Sequence, residues 1–214
     1  MIEYIALTNF FSFKERTEFS LKATKEKPRG TFSGEDWWTK IDGIKLLKAA
    51  FLLGNNGSGK TNFLNGISVL NELVTVNRNS KLASRYRLPD VQFLLSEETK
   101  NSPSSIEVAF HTAGFRYTYF ISWTVDYIIE ERLLRREGKK KEKLIFIREF
   151  SKEKDIVVVS FPKGTTIPIP VQELIPQTIL NYPSVVSIYD NKNFECEDIR
   201  TVSNDFRFVD LGNV

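Results

Sequence analysis

Residues 54–61 read Gly54-Asn55-Asn56-Gly57-Ser58-Gly59-Lys60-Thr61, and they constrain this chain more than any other stretch. They fit the spacing G-x-x-x-x-G-K-[ST] at every fixed position, and Asn62 follows them. Residues 49–53 before them are all apolar and read as a strand. After them, Phe63, Leu64, Ile67, Leu70, Leu73 and Val74 fall on one face at helical spacing. Strand, glycine loop and helix in that order predict a mixed α/β fold. A turn that only caps a helix needs no lysine followed by a hydroxyl residue.

The spacing has a physical reading. A triphosphate concentrates negative charge, so a protein holds it with many aligned donors. Glycines let the backbone turn with positive φ and come close without a Cβ in the way. Successive N–H groups then point into one concavity. The helix that follows adds unpaired N–H groups and a partial positive charge. Lys60 is expected to reach the β- and γ-phosphates, and the Thr61 hydroxyl to ligate Mg²⁺. The expected binding set is Gly54, Asn55, Asn56, Gly57, Ser58, Gly59, Lys60, Thr61 and Asn62, with ATP and Mg²⁺ as ligands.

Composition bounds the rest. The 214 residues are 41% hydrophobic and 27% charged, as in an ordinary globular protein. A net charge of +3 is too small to argue for nucleic-acid binding by itself. The single cysteine, Cys196, forms no internal disulfide and no cysteine zinc cluster, and fits a reducing cytoplasm. No apolar stretch approaches the length of a membrane helix, and no signal peptide precedes the first strand, so a cytoplasmic protein without a membrane span is expected. The only histidine, His111, sits in a strand-like segment and is assigned no role.

Along the chain, residues 1–21 alternate as a β hairpin, with Phe10, Phe11 and Phe13 near its turn. Residues 22–46 are polar, contain Pro28, Gly30 and Gly34, and read as a long loop. Trp37 and Trp38 lie in it, either packed on the domain surface or offered to a partner or a base. Residues 47–76 hold the strand, glycine loop and helix. Residues 77–90 carry Arg78, Lys81, Arg85 and Arg87 and read as a basic linker. Residues 91–161 read as an antiparallel meander, with strands over 106–110, 115–124, 127–134, 143–150 and 155–161. Residues 162–176 hold four of the eight prolines, so regular structure is expected to stop there. Residues 162–214 are otherwise ambiguous, with a short helix expected near 177–180. Arg135, Arg136, Lys139, Lys140, Lys141 and Lys143 cluster at the expected tip of a hairpin. They form either a solvated turn that protects the sheet or a contact for a phosphate backbone.

Beyond these segments, the chain resembles a known family. Asn9-Phe10-Phe11-Ser12-Phe13, a second strand, and then the loop 54–61 ending in Lys60-Thr61-Asn62 are similar to the ABC-like AAA ATPases related to RecF, SMC heads and the ATPase domain of OLD nucleases. Phe115-Arg116-Tyr117-Thr118-Tyr119-Phe120, then Ile128 to Leu133, then Leu144-Ile145-Phe146-Ile147-Arg148 resemble the meander of a stand-alone prokaryotic branch. The resemblance spans roughly residues 1–149. It implies the N-terminal lobe of one ABC-type P-loop ATPase head. It further implies ATP-dependent pairing with a second head as a homodimer, and a place in anti-phage defence beside a nuclease or other effector. DNA maintenance of the RecF or SMC kind, with the basic segments on nucleic acid, is the alternative, as is a nucleotide sensor that does not hydrolyse.

Some family parts depart or are missing. Phe11 stands where many relatives carry Arg. The best match to a Walker B strand is Val185-Val186-Ser187-Ile188-Tyr189-Asp190, but Asn191 replaces the Glu that would orient water, and a plain strand and turn reads as well. No S-G-G signature follows the loop, and Ser33-Gly34-Glu35 precedes it. The chain therefore reads as the N-terminal part of a longer ATPase that hydrolyses poorly alone, its Walker B and signature lying elsewhere.

Overall fold

The computed structural model describes residues 1–25, 37–75, 87–178, 183–189 and 196–207. Along the chain come β1 (Ile2–Thr8), β2 (Thr17–Ser20), the hairpin β3 (Trp38–Ile41) and β4 (Ile44–Leu47), and helix α1 (Lys60–Thr75). The one-turn helix α2 (Glu97–Lys100) leads into β5 (Ser104–Thr112), β6 (Phe115–Trp123), β7 (Ile128–Glu137), β8 (Lys143–Ser151) and β9 (Ile156–Ser160). Helices α3 (Ile169–Thr178), α4 (Val185–Tyr189) and α5 (Glu197–Arg207) follow. Seven strands form one antiparallel sheet in the order β2-β1-β5-β6-β7-β8-β9, so the fold is mixed α/β with a large antiparallel sheet.

One face of the sheet makes the core. Residues alternate across a strand, and the register lines up Ile5, Val108, Tyr119, Leu133 and Phe146 across five strands. All five are buried. Helices cover this face. Phe206 of α5 packs its ring 5.2 Å from Phe110 and 5.6 Å from Tyr119. Helix α1 lies close on β1 because Gly66 has no side chain. A Cβ there would sit 2.9 Å from both Leu7 methyl groups.

Polar groups inside this core tie the helices to the sheet. Glu131 and Arg148 are cross-strand partners on β7 and β8, and both are fully buried. The Glu131 carboxylate accepts from the Tyr119 hydroxyl at 2.9 Å and from the amides of Val185 at 2.7 Å and Val186 at 3.4 Å. It therefore caps α4 with negative charge. Burial pushes the Glu131 carboxyl above its ordinary range, and the Arg148 charge and these donors pull it back. Asp198, in the first turn of α5, does similar work. It accepts from the Tyr117 hydroxyl at 2.5 Å, from Arg135 at 3.0 Å and from Thr166.

The opposite face carries a second buried carboxylate, Glu3. A β-bulge between Ile2 and Tyr4 accompanies its turn toward this face. Glu3 accepts from His111 at 2.9 Å, Arg116 at 2.7 Å and Lys22 at 2.8 Å. Burial alone would push its carboxyl up, but these three donors hold it well below the usual carboxylate range. His111 is thus a buried strand residue with a structural partner.

Several segments differ from the sequence reading. The long loop expected over 22–46 contains the β3–β4 hairpin. Asp42 and Gly43 take φ of 51° and 84°, as a two-residue hairpin turn requires. Residues 49–53, expected as a strand, lie in no sheet, and Phe51 and Leu53 are 82% and 91% exposed. The meander starts at Ser104 rather than at residue 91, because 91–103 wrap the N-terminal turn instead. Prolines do not stop the chain: α3 runs through them, with Pro170 in its first turn, where no intrahelical amide is needed, and Pro176 near its end. Val185–Tyr189, the best Walker B match, is a helix. Ser184 caps it, its hydroxyl accepting from the Ser187 amide at 3.0 Å, which is a helix start rather than a strand end.

Replacing Glu131 with Ala removes the cap of α4 and leaves Arg148 buried without its counter-charge. We expect a loss of about 3–5 kcal/mol of stability, read by chemical denaturation.

Candidate functional site

Residues 54–59 form the mouth of α1. Gly57 and Gly59 take φ of 79° and 89°, a region that side chains disfavour. The Phe63 amide donates to the Gly59 carbonyl at 2.9 Å, so Gly59 begins the helical ladder. The amides of Lys60, Thr61 and Asn62 precede the first intrahelical donor and have no acceptor within the helix. The Lys60 ammonium folds over the loop and donates to the carbonyls of Gly54 and Asn55, each at 2.8 Å, and to the Ser58 hydroxyl at 3.4 Å. Thr61 is exposed beside it. Positive φ at two glycines, a helix N-terminus and a cation folded over the loop converge on one place.

That donor set fits a phosphate group. Neutral carbonyls hold the ammonium now, and charge-assisted bonds to phosphate oxygens are roughly twice as strong as neutral ones. The donors around the loop are backbone amides and one lysine, with no carboxylate bonded to Lys60 to compete for it.

Sequence reasoning missed how the N-terminal turn meets this loop. The Asn62 side-chain amide donates to the Ser12 hydroxyl at 3.1 Å. A Cβ on Gly59 would lie 2.7 Å from that hydroxyl oxygen and 3.3 Å from the Phe13 ring. Ser12 and Phe13 therefore occupy the space that the last loop glycine leaves open. Asn9 holds this turn. Its side chain donates to the carbonyls of Thr99 and Ser102, each at 2.9 Å, and accepts from the Phe93 amide at 2.9 Å. Its carbonyl accepts from the Ser104 hydroxyl at 2.6 Å. Asn9 and Phe11 both sit at positive φ, 48° and 45°, and the Phe11 amide donates to the Val91 carbonyl at 2.5 Å. The motif Asn9-Phe10-Phe11-Ser12-Phe13 was the available signal. Its contact with Gly59 and Asn62 is a tertiary fact.

Other singled-out residues scatter. Arg135 is spent on Asp198 and lies 4.5 Å above the Phe115 ring. Lys140 pairs with Glu137 at 2.7 Å, while Lys139, Lys141 and Lys143 are exposed at the β7–β8 tip. Trp37 is half-exposed, and the Trp38 ring carries Lys45 at 4.0 Å. Asp190, Asn191, Arg78, Lys81, Arg85 and Ser33-Gly34-Glu35 lie outside the described residues. Among the described residues no cluster of three His, Cys, Asp or Glu side chains could hold a metal. No described helix is long and apolar enough to cross a membrane.

Comparison with known proteins agrees with this geometry. A family model described as "AAA domain, putative AbiEii toxin, Type IV TA system" matches residues 49–211. The match includes the whole glycine loop and about three quarters of the chain. No curated protein matches the chain.

Gly59→Ala forces a side chain into positive φ and against Ser12. We expect it to cost about 1–3 kcal/mol in a thermal or denaturant melt. Adding Ser12→Ala removes the clashing hydroxyl and should return part of that loss.

Proposed function

The chain belongs to the AAA domain family, and on that premise we propose that its glycine loop binds ATP and Mg²⁺ as part of an ABC-like, ATP-dependent dimerising ATPase. Nucleotide-binding P-loop ATPases are what the family comprises. The observation that carries the assignment to these residues is the convergence at the loop. Lys60, the first amides of α1 and the positive-φ backbone at Gly57 and Gly59 all serve one concavity.

Each residue has a role that follows from its chemistry. Lys60 exchanges two neutral carbonyls for phosphate oxygens and neutralises charge between the β- and γ-positions. Gly54, Asn55, Asn56, Gly57, Ser58 and Gly59 present backbone donors, and Gly59 begins a helix whose N-terminus favours an anion. Thr61 offers the hydroxyl oxygen that a hard cation takes. Mg²⁺, when bound, would bridge and neutralise phosphate oxygens. Asn62 holds the loop's end against Ser12.

The same reading accounts for the exposed segment 49–53. Residues leading into the loop carry bare apolar side chains at Phe51 and Leu53 and, among the described residues, pair with no strand. In the proposed assembly they are covered by the rest of the ATPase head. A second head then closes over the triphosphate. The place in anti-phage defence rests on the resemblance of residues 1–149 to the stand-alone prokaryotic branch.

Lys60→Ala should lower ATP affinity by at least about tenfold in a calorimetric titration while leaving the melt unchanged, because hydrogen bonds to charged groups contribute about 1.5–3 kcal/mol. Unchanged affinity would sink the assignment. Thr61→Val should weaken binding more in the presence of Mg²⁺ than in its absence. An equal loss under both conditions removes Thr61 from the metal. Phosphate release by this chain alone should be slow and should rise sharply when the remainder of the ATPase is supplied.

A further inference from the structure

The seven-stranded sheet has two outer edges, β2 and β9, and their chemistry differs. Edge β2 is four residues long and carries Glu18, paired at 3.0 Å with Arg16. Charge on a short edge discourages another strand from adding. Edge β9 reads Ile156-Val157-Val158-Val159-Ser160, with no charge and no proline. Its inner side pairs with β8, and among the described residues no strand pairs with its outer side. Val157 and Val159 pack on the core, whereas Ile156 and Val158 are 45% and 43% exposed on the face away from the helices. A β-branched, uncharged edge with half-bare apolar side chains is a template for strand addition.

We propose that β9 is a pairing edge for a second copy of this chain, joining two sheets into one antiparallel sheet across a two-fold axis at Val158. Two identical strands that pair antiparallel are related by an axis normal to the sheet. Such an axis keeps every side chain on its own face, so it passes through a residue position rather than between two. Val158 is the middle of β9, and only that register pairs all five residues. It sets Val158 against its own copy and Ile156 against Ser160 on the open face. It sets Val157 against Val159 on the helix face. Cross-strand pairs of β-branched residues are the favoured kind.

Charge selects the same arrangement. The turn before β9 holds Glu153 and Asp155 together with Lys152 and Lys154, and Lys163 follows the strand. Antiparallel pairing brings the two carboxylates of one copy to the end where the other copy has Lys163. The edge is therefore complementary to itself. It also lies away from the glycine loop. Helix α1 rests on β1, five strand positions from β9, or about 24 Å at ordinary strand spacing. This pairing leaves the loop open and needs no nucleotide, unlike the head-to-head closure proposed above.

The test is sedimentation equilibrium of the purified chain over the micromolar range, with and without ATP and Mg²⁺. The expected result is a closed dimer in both conditions with the same Kd. Val158→Lys places like charges on the axis and should raise Kd at least about tenfold, while circular dichroism and the melting temperature stay unchanged. Lys163→Glu should weaken the dimer, and adding Glu153→Lys and Asp155→Lys should restore it. This charge swap carries the test should Val158→Lys fail to fold. A monomer throughout, a dimer that appears only with ATP, open-ended aggregates, or a Kd indifferent to both sets of changes would each overturn the proposal. None of these results depends on Lys60, so the ATP assignment stands or falls separately.

Discussion

A carboxylate with no access to water organises the core. Glu131 meets three separate elements at once: Tyr119 on β6, Arg148 across on β8, and the first amides of α4. An ionised group in such a place is tolerated only when its oxygens are satisfied and a counter-charge is near. That requirement fixes where α4 begins. Ser184 then passes the constraint on, its hydroxyl donating to the Leu73 carbonyl at 2.9 Å, so α4 is pinned to α1 as well. Asn71 of α1 in turn donates to the Phe206 carbonyl of α5 at 2.8 Å. The helix layer is thereby held to the sheet by directional bonds as well as by apolar contact.

The glycine loop inherits its position from this arrangement. Helix α1 sits on β1 at the distance Gly66 permits, and its N-terminus carries the loop. A second restraint comes from the chain's start. Asn9 accepts and donates at every polar atom it has, which offsets the strain of left-handed backbone at Asn9 and Phe11. The turn so held places Ser12 and Phe13 against Gly59. Elements far apart in sequence therefore set the loop's shape before any ligand arrives, and preorganisation of this kind lowers the ordering cost of binding.

Charge is handled differently on the two sides of the sheet. On the helix side, buried carboxylates Glu131 and Asp198 each join a helix N-terminus to a strand. On the other side, Glu3 gathers His111, Arg116 and Lys22, and Tyr4 donates to Glu107 at 3.0 Å. Burial, helped by the Glu107 charge, pushes the Tyr4 hydroxyl up to about 12. Arg135 shows why a basic cluster in sequence is a poor guide to a binding patch. Its charge is used internally by Asp198, and only the tip lysines remain at the surface.

Sequence by itself determined what local rules govern. The glycine loop was legible because its residues are required one by one by backbone conformation and charge. Helix α1 was legible from its apolar face, and the meander from alternation and from Gly114, Asp126 and Gly138 between strands. The β3–β4 hairpin was legible too, in Asp42-Gly43, but surrounding polar residues hid it. Tertiary structure decided the rest. The apolar residues 49–53 look like any buried strand, and only the sheet order shows that the described fold gives them no partner. Val185–Tyr189 is apolar enough for a strand, and the Glu131 carboxylate and the Ser184 cap make it a helix. The seating of Ser12 on Gly59 depends on contacts some fifty residues apart, which no local pattern records. Short-range sterics and periodicity are written in neighbouring residues, whereas the satisfaction of a buried charge depends on whatever the fold brings beside it.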